Sequence, residues 1–260
     1  MKTLYIDCSM GAAGDMLTAA LLELLPDPDG YVKKLNDLNI PGVKIIKEAT
    51  EKCGIAATHM RVLIDGVEEH EGMHEHHHEH HHHEHHHHAS MQDIQDIINS
   101  LDIPQKVKYD ASTIFALIAE AESHVHGKPI EQIHFHEVGS MDAVADVVSV
   151  CYLMNEIDPA EVVISPIHVG SGTVRCAHGT LPVPAPATAE LLREFPIYSG
   201  DIKGELCTPT GAAIIKYFST KVGEMPVMTV KGIGYGAGTK DFDTANIVRV
   251  ILGETESKTE

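Results

Sequence analysis

From His70 to His88, thirteen of nineteen residues are His, and the others are Glu, Gly or Met. The imidazoles are those of His70, His74, His76, His77, His78, His80, His81, His82, His83, His85, His86, His87 and His88. Glu71, Glu75, Glu79 and Glu84 interrupt them. Neutral imidazole suits zinc, copper, cobalt and nickel, and a free pKa of about 6.5 leaves most rings unprotonated at neutral pH. The density predicts capture of a borderline transition metal. A purification tag would be terminal and unbroken, whereas this run is internal and Glu-interrupted. A merely solvated linker is the other plain reading. Nothing in the run can hold it against a core, so it is expected to be disordered without metal. Overlapping ligand sets in such a chain suit storage or capture rather than catalysis, which needs fixed geometry.

A second cluster is ordered by its spacing. Gln132–Glu137 is expected to be extended, ahead of Val138-Gly139, and Ser140 to cap a helix carrying Asp142 and Asp146. Alternation puts His134 and His136 on one face. Asp142 and Asp146 stand one turn apart, away from the apolar stripe of Val144, Val147, Val148 and Cys151. Two imidazoles and up to three carboxylates can then meet as ligands of a divalent ion, leaving Glu137, Asp142 or His136 to handle a proton. The competing arrangement is a satisfied core His beside a solvated acidic helix face.

Other segments suit anions. Asp7 closes a strand, and Gly11, Gly14 and Asp15 form the turn into a helix, where backbone N–H groups and the helix dipole can meet an anion. Asp7 can hold a metal or a ribose hydroxyl. The spacing is neither Walker A nor G-x-G-x-x-G, and a tight turn with Asp15 favouring the helix start explains it as well. Gly170-Ser171-Gly172-Thr173 lets a ligand approach the backbone, with His168 or His178 available to join. Thr208-Pro209-Thr210-Gly211 puts two hydroxyls and free N–H groups at a helix start, and a plain Thr cap accounts for it equally.

The elements that must position these groups follow from periodicity. Thr3–Ile6 reads as a strand. Leu17, Ala20, Leu21 and Leu24 mark a helix stopped by Pro26-Asp27-Pro28, and Tyr31–Leu38 a second. Val43–Ala49 and Thr58–Ile64 read as paired strands. Ile94 to Leu101 and Ile114 to Ala121 mark two more helices, Val162–Ser165 a strand. Pro182, Pro184 and Pro186 lead into a helix through Leu191 and Leu192. Val227–Val230 and Asn246–Ile251 are expected as closing strands around a glycine loop, Gly232 to Gly238. Strands and helices mix without strict alternation, so the expected fold is α+β (mixed α/β) with one main core and a disordered His-rich insertion. The expected organisation is an N-terminal α/β segment 1–66, the insertion 67–90, the remaining core 91–252 and a loose tail 253–260.

Composition bounds the partners. The chain has 260 residues, 43% hydrophobic, with a formal net charge of −19. That charge disfavours non-specific nucleic-acid binding and is compatible with cation handling. No apolar stretch can span a membrane, and an Asp and a glycine turn stand where a signal peptide would be apolar, so a cytoplasmic protein is expected. The five Cys are scattered without C-x-x-C, which reads as buried small apolar residues rather than a disulfide or zinc framework.

Six segments occur in one order along nearly the whole chain: Asp7…Gly11-Ala12-Ala13-Gly14-Asp15-Met16; the His-rich insertion; His134-Phe135-His136-Glu137-Val138-Gly139…Asp142; Gly170-Ser171-Gly172-Thr173; His178 to Thr188; and Thr208-Pro209-Thr210-Gly211-Ala212-Ala213. Together they resemble the nickel-insertion protein of the nickel-pincer cofactor pathway, the LarC-type cyclometallase that serves lactate racemase. The resemblance implies insertion of Ni(II) into pyridinium-3,5-bisthiocarboxylic acid mononucleotide, with a nickel–carbon bond formed, CTP consumed and Mg2+ or Mn2+ assisting. Such a reaction needs delivered nickel, a base for the pyridinium C4 proton and a cradle for the phosphate. Residue chemistry then assigns the His tract to a reservoir, with His134, His136, Asp7 and Asp146 as further metal ligands. Glu137, Asp142 and His136 are the candidates for transfer and proton removal. Gly11, Gly14, Asp15, Thr208 and Thr210 are the candidates for holding the nucleotide. Members of the family continue into a C-terminal CTP-binding domain, which is expected to be missing here and to come from a longer product or a second chain. A nickel metallochaperone or store without chemistry is the alternative, and an unrelated metal-dependent hydrolase a third.

Overall fold

The computed structural model describes residues 1–68, 90–133, 140–176 and 179–256. In chain order the elements begin with β1 (Lys2–Asp7), α1 (Gly14–Leu22), α2 (Pro28–Asp37), β2 (Val43–Lys52), β3 (Ile55–Ile64) and β4 (Val67–Glu68). Then come α3 (Met91–Ser100), α4 (Gln105–His126), a 3-10 turn at Ile130–Gln132, α5 (Met141–Ile157), β5 (Glu161–Ile164), β6 (Ile167–His168), β7 (Gly170–Ser171), β8 (Thr173–Cys176) and β9 (Gly179–Pro182). The last are α6 (Pro186–Leu191), β10 (Ile197–Tyr198), β11 (Gly204–Glu205), α7 (Pro209–Phe218), β12 (Lys221–Val222), β13 (Thr229–Ala237) and β14 (Ile247–Glu254).

One mixed sheet organises the fold, in the order β12-β5-β1-β14-β13-β3-β2, with β4 added on β3. β1 runs parallel to β5 and antiparallel to β14, so the expected α+β class holds. The sheet draws strands from both sides of the His-rich stretch: Gly236 of β13 pairs with Thr58 of β3. The main core lies between one face of this sheet and the helices. Leu4 and Ile6 of β1, Met60 and Val62 of β3 and Val248 and Val250 of β14 meet Leu17, Ala20 and Leu21 of α1 and Val144, Val147 and Val148 of α5. The opposite face carries a small cluster, Tyr5, Val163 and Ile251, with Met228 packed against it.

Local chemistry explains the helix ends. Asp27 caps α2 through Gly30 N–H with Pro28 in the first turn, so this helix starts ahead of the expected Tyr31. Ser90 and Asp93 form a reciprocal capping box on α3. Ser140 accepts from Ala143 N–H at the start of α5, as expected.

The glycine loop expected at 232–238 is instead most of β13. The glycines recur every second residue and face α1. A Cβ at Gly236 would sit 1.8 Å from Met16 O, and one at Gly234 1.9 Å from Ala20 O. The strand is bare on that side so that α1 can rest on its backbone. These glycines form a contact surface within a strand and not a loop between strands. A second difference concerns α5: it is buried almost all round, and Asp146 is only 8% exposed, so it does not lie on a solvated face.

Candidate functional site

The carboxyl end of β1 is where parallel strands and converging helices leave room for ligands in open α/β sheets. Here β1 runs into a loop that three other segments clamp. The Cys8 N–H donates to Ser165 Oγ at 2.8 Å. The Cys8 carbonyl accepts from Gly11 N–H and His168 N–H, at 2.9 and 3.1 Å. Ala12 N–H donates to Leu206 O and Ala12 O accepts from Thr208 N–H, each at 3.0 Å, which zips the loop to the segment entering α7. Gly11 has φ +79°, and a Cβ there would lie 2.0 Å from Leu206 O. Gly211 is pressed equally close, its Cβ position 2.2 Å from Ala12 O. Glycine at these points is required by the backbone approach, before any ligand is considered.

The start of α1 faces a carboxylate. A Cβ on Gly14 would stand 2.4 Å from Asp146 Oδ2. Asp146 therefore brings its negative charge to the positive end of the α1 dipole, the place an anion would favour. Asp142, half-buried, is in the first turn of α5 on the same approach. Asp15 is partly buried in the first turn of α1, and its Oδ1 accepts from Met16 N–H at 2.7 Å.

The remaining predicted residues divide. Asp7 is committed elsewhere: its Oδ2 accepts from Arg249 at 2.6 Å across the β1–β14 pair, and its Oδ1 from Ser9 N–H at 3.1 Å. Thr208 caps α7, its Oγ1 accepting from Gly211 N–H at 3.1 Å, and Thr210 is buried beside it. The structure thus brings Gly11, Gly14, Asp146, Thr208 and the start of α7 together around one loop. His70 to His88, His134, His136, Glu137 and His178 lie outside the described residues. Among the described residues no group of three or more His, Cys, Asp or Glu is arranged to hold a metal ion.

Two buried thiols flank the same loop. Burial pushes the Cys8 thiol well above its ordinary pKa, with Cys207 and Asp7 adding to the rise. Burial and then Glu205 push Cys207 up to about 12. Both remain protonated at neutral pH, so neither is a ready thiolate ligand, in line with their reading as small apolar residues. His124 and His126 end α4 beside carboxylates, Nδ1 of His124 3.5 Å from Glu190 and Nε2 of His126 3.1 Å from Glu122. Among the described residues no helix is long and apolar enough to cross a membrane.

Sequence reasoning missed Tyr198. Its ring is stacked on His168 at 4.8 Å between centroids and 4° between planes, beside the β1–α1 loop. No local pattern joins two residues on separate short strands; only their pairing in β6 and β10 does.

Comparison with known proteins adds the family. The model of the nickel insertion protein family matches residues 4–260. The chain belongs to that family. It is 42% identical over 255 residues, 98% of its length, to the pyridinium-3,5-bisthiocarboxylic acid mononucleotide nickel insertion protein of Geobacillus kaustophilus, covering 60% of that protein. The protein of the same name from Desulfitobacterium hafniense is 41% identical over 98% of the chain and 59% of its own length. That from Acetivibrio thermocellus is 40% identical over 99% of the chain and 62% of its own length. The chain thus spans about 60% of the length of these relatives. No solved structure matches it.

Proposed function

We propose that this chain captures Ni(II) on its imidazoles and takes part in inserting it into pyridinium-3,5-bisthiocarboxylic acid mononucleotide, forming the nickel-pincer cofactor used by lactate racemase. The observation that carries this reading is the family match over residues 4–260, in a chain that also holds thirteen His between His70 and His88. Three relatives named for that substrate, each about 40% identical, support it. Nickel is cargo here. The tract concentrates it, and His134, His136 and Asp146 receive it, with Asp7 an outlying candidate whose carboxylate must first leave Arg249. Glu137, Asp142 and His136 take the proton that leaves the pyridinium ring when the nickel–carbon bond forms. Gly11, Gly14, Asp15, Thr208 and Thr210 bound the mouth in which the mononucleotide is held.

CTP and Mg2+ or Mn2+ belong to the reading as requirements of the complete reaction. They are assigned to no residue of this chain. A C-terminal CTP-binding part, of the same chain or another, completes the machinery, and the setting is cytoplasmic. The test is to mix the chain and a relative's remaining portion with Ni(II), CTP, Mg2+ and the mononucleotide, and to follow a nickel-bearing product by mass spectrometry and activation of apo lactate racemase. Product formation is expected. Failure under conditions where a full-length relative succeeds overturns the enzyme role. Deleting His70–His88 then distinguishes a reservoir from a reaction centre: insertion should persist at high nickel while bound nickel falls.

A further inference from the structure

The stacked pair stands at the rim of the β1–α1 loop. Tyr198 and His168 are opposed in the β10–β6 pair, so their side chains share a face. His168 is 6% exposed and Tyr198 43% exposed, so the imidazole is the inner ring and the phenol ring the outer one. The inner ring is fixed. His168 Nδ1 lies 3.2 Å from Ser9 O, and because a carbonyl only accepts, Nδ1 carries the hydrogen. Nε2 is buried without a hydrogen-bond partner and is turned toward Gly200, where a Cβ would come within 2.7 Å. The outer ring is held chiefly by the stack on His168, and Tyr198 OH adds a long, exposed hydrogen bond to the same Ser9 carbonyl at 3.4 Å. One face of the Tyr198 ring is covered by His168, and at 43% exposure its other face is the one left to solvent. Burial, then Asp7 and Cys8, raise the phenol's pKa, so it remains an uncharged donor throughout the neutral range.

We propose that the outer face of Tyr198 is the platform on which the cationic pyridinium ring of the mononucleotide stacks. This rests on the nickel-insertion reading above and deepens it by naming a binding residue for the ring. A planar cationic heterocycle gains from offset stacking and from attraction to the phenol's π face. Ser9 ties both rings to the loop that begins α1, so a ring stacked there lies at the rim of the candidate mouth.

Nickel-free titration of the chain with pyridinium-3,5-bisthiocarboxylic acid mononucleotide tests this, by calorimetry and by tyrosine fluorescence, since the chain has seven Tyr and no Trp. Tyr198→Leu should weaken binding roughly tenfold, and Tyr198→Phe, which keeps the ring, by less than about threefold. The 1,4-dihydropyridine form of the nucleotide, whose ring is neutral while its phosphate and thiocarboxylates keep their charge, should bind the unmodified chain roughly tenfold more weakly than the pyridinium. Circular dichroism confirms the fold of each variant; if Tyr198→Leu does not fold, Tyr198→Thr and the cation-against-neutral comparison decide. Unchanged affinity in a folded variant lacking the ring, or equal affinity for the pyridinium and ring-neutral nucleotides, overturns the stacking proposal alone. No binding by the unmodified chain, even with a relative's remaining portion added, overturns it together with the nickel-insertion reading.

Discussion

Gly11 and Gly14 near the start of the chain and Gly232, Gly234 and Gly236 near its end look alike as strings of small residues. Their surroundings differ. The strand glycines are spaced by two and turn one bare face of β13 to α1, whose Met16 and Ala20 carbonyls rest where side chains would be. The loop glycines are unevenly spaced and solve separate problems. Gly11 needs φ +79° and room for Leu206 O, whereas Gly14 needs room for the Asp146 carboxylate. Even spacing marks a packing surface between regular elements. Uneven spacing marks a turn that other segments must reach.

Substitutions can break or sharpen that contrast. Gly236→Val should be the most damaging, because its Cβ would collide with a main-chain carbonyl at 1.8 Å and α1 would have to lift. A loss of about 3 kcal/mol or more is expected in urea unfolding, with weakened cooperativity. Gly11→Ala combines a left-handed backbone with a clash on Leu206 O and should cost about 2–3 kcal/mol by the same measurement.

The buried thiols give a pH signature. Cys8 and Cys207 beside the loop and Cys151 within α5 all have pKa values raised by burial, Cys207 to about 12. The unfolded thiols ionise near pH 9 while the folded ones do not. The unfolded state then binds fewer protons, so stability falls as pH rises from about 9 toward the folded values, by about 1.4 kcal/mol per pH unit for each thiol. Cys207→Ala should make that decline shallower than in the unmodified chain when unfolding free energy is measured from pH 8 to 11. Asp146→Asn removes charge at the α1 N-terminus and should cost about 1 kcal/mol, with faster amide exchange in the first turn of α1. Gly232→Ala should be nearly silent, within about 0.5 kcal/mol, because its Cβ meets only the flexible end of Leu24, at 3.3 Å. A large loss there would sink the distinction between backbone and side-chain contact along β13.

Much of the architecture was legible locally. The Pro-Asp-Pro stop, the Ser140 cap and Pro209 in the first turn of α7 depend on a few neighbouring residues, and all appear where the chain predicts them. The β13 glycines were misread because glycine reports permission and not its use; whether a bare backbone is a loop or a seat for a helix depends on α1, far away in the chain. Asp146 was placed off the apolar stripe of α5 by spacing, yet it is buried because α1 covers that side as well.

The order of motifs points to the family and the imidazole tract to a borderline transition metal without any coordinates, because ligand chemistry resides in side-chain type and number. Which carboxylate meets the start of α1, which one is spent on Arg249 and which aromatic ring lies flat beside the loop were decided only when separate strands and helices packed. Those choices depend on distances between segments remote in the chain. Burial and charge at each group are set by what the fold brings against it.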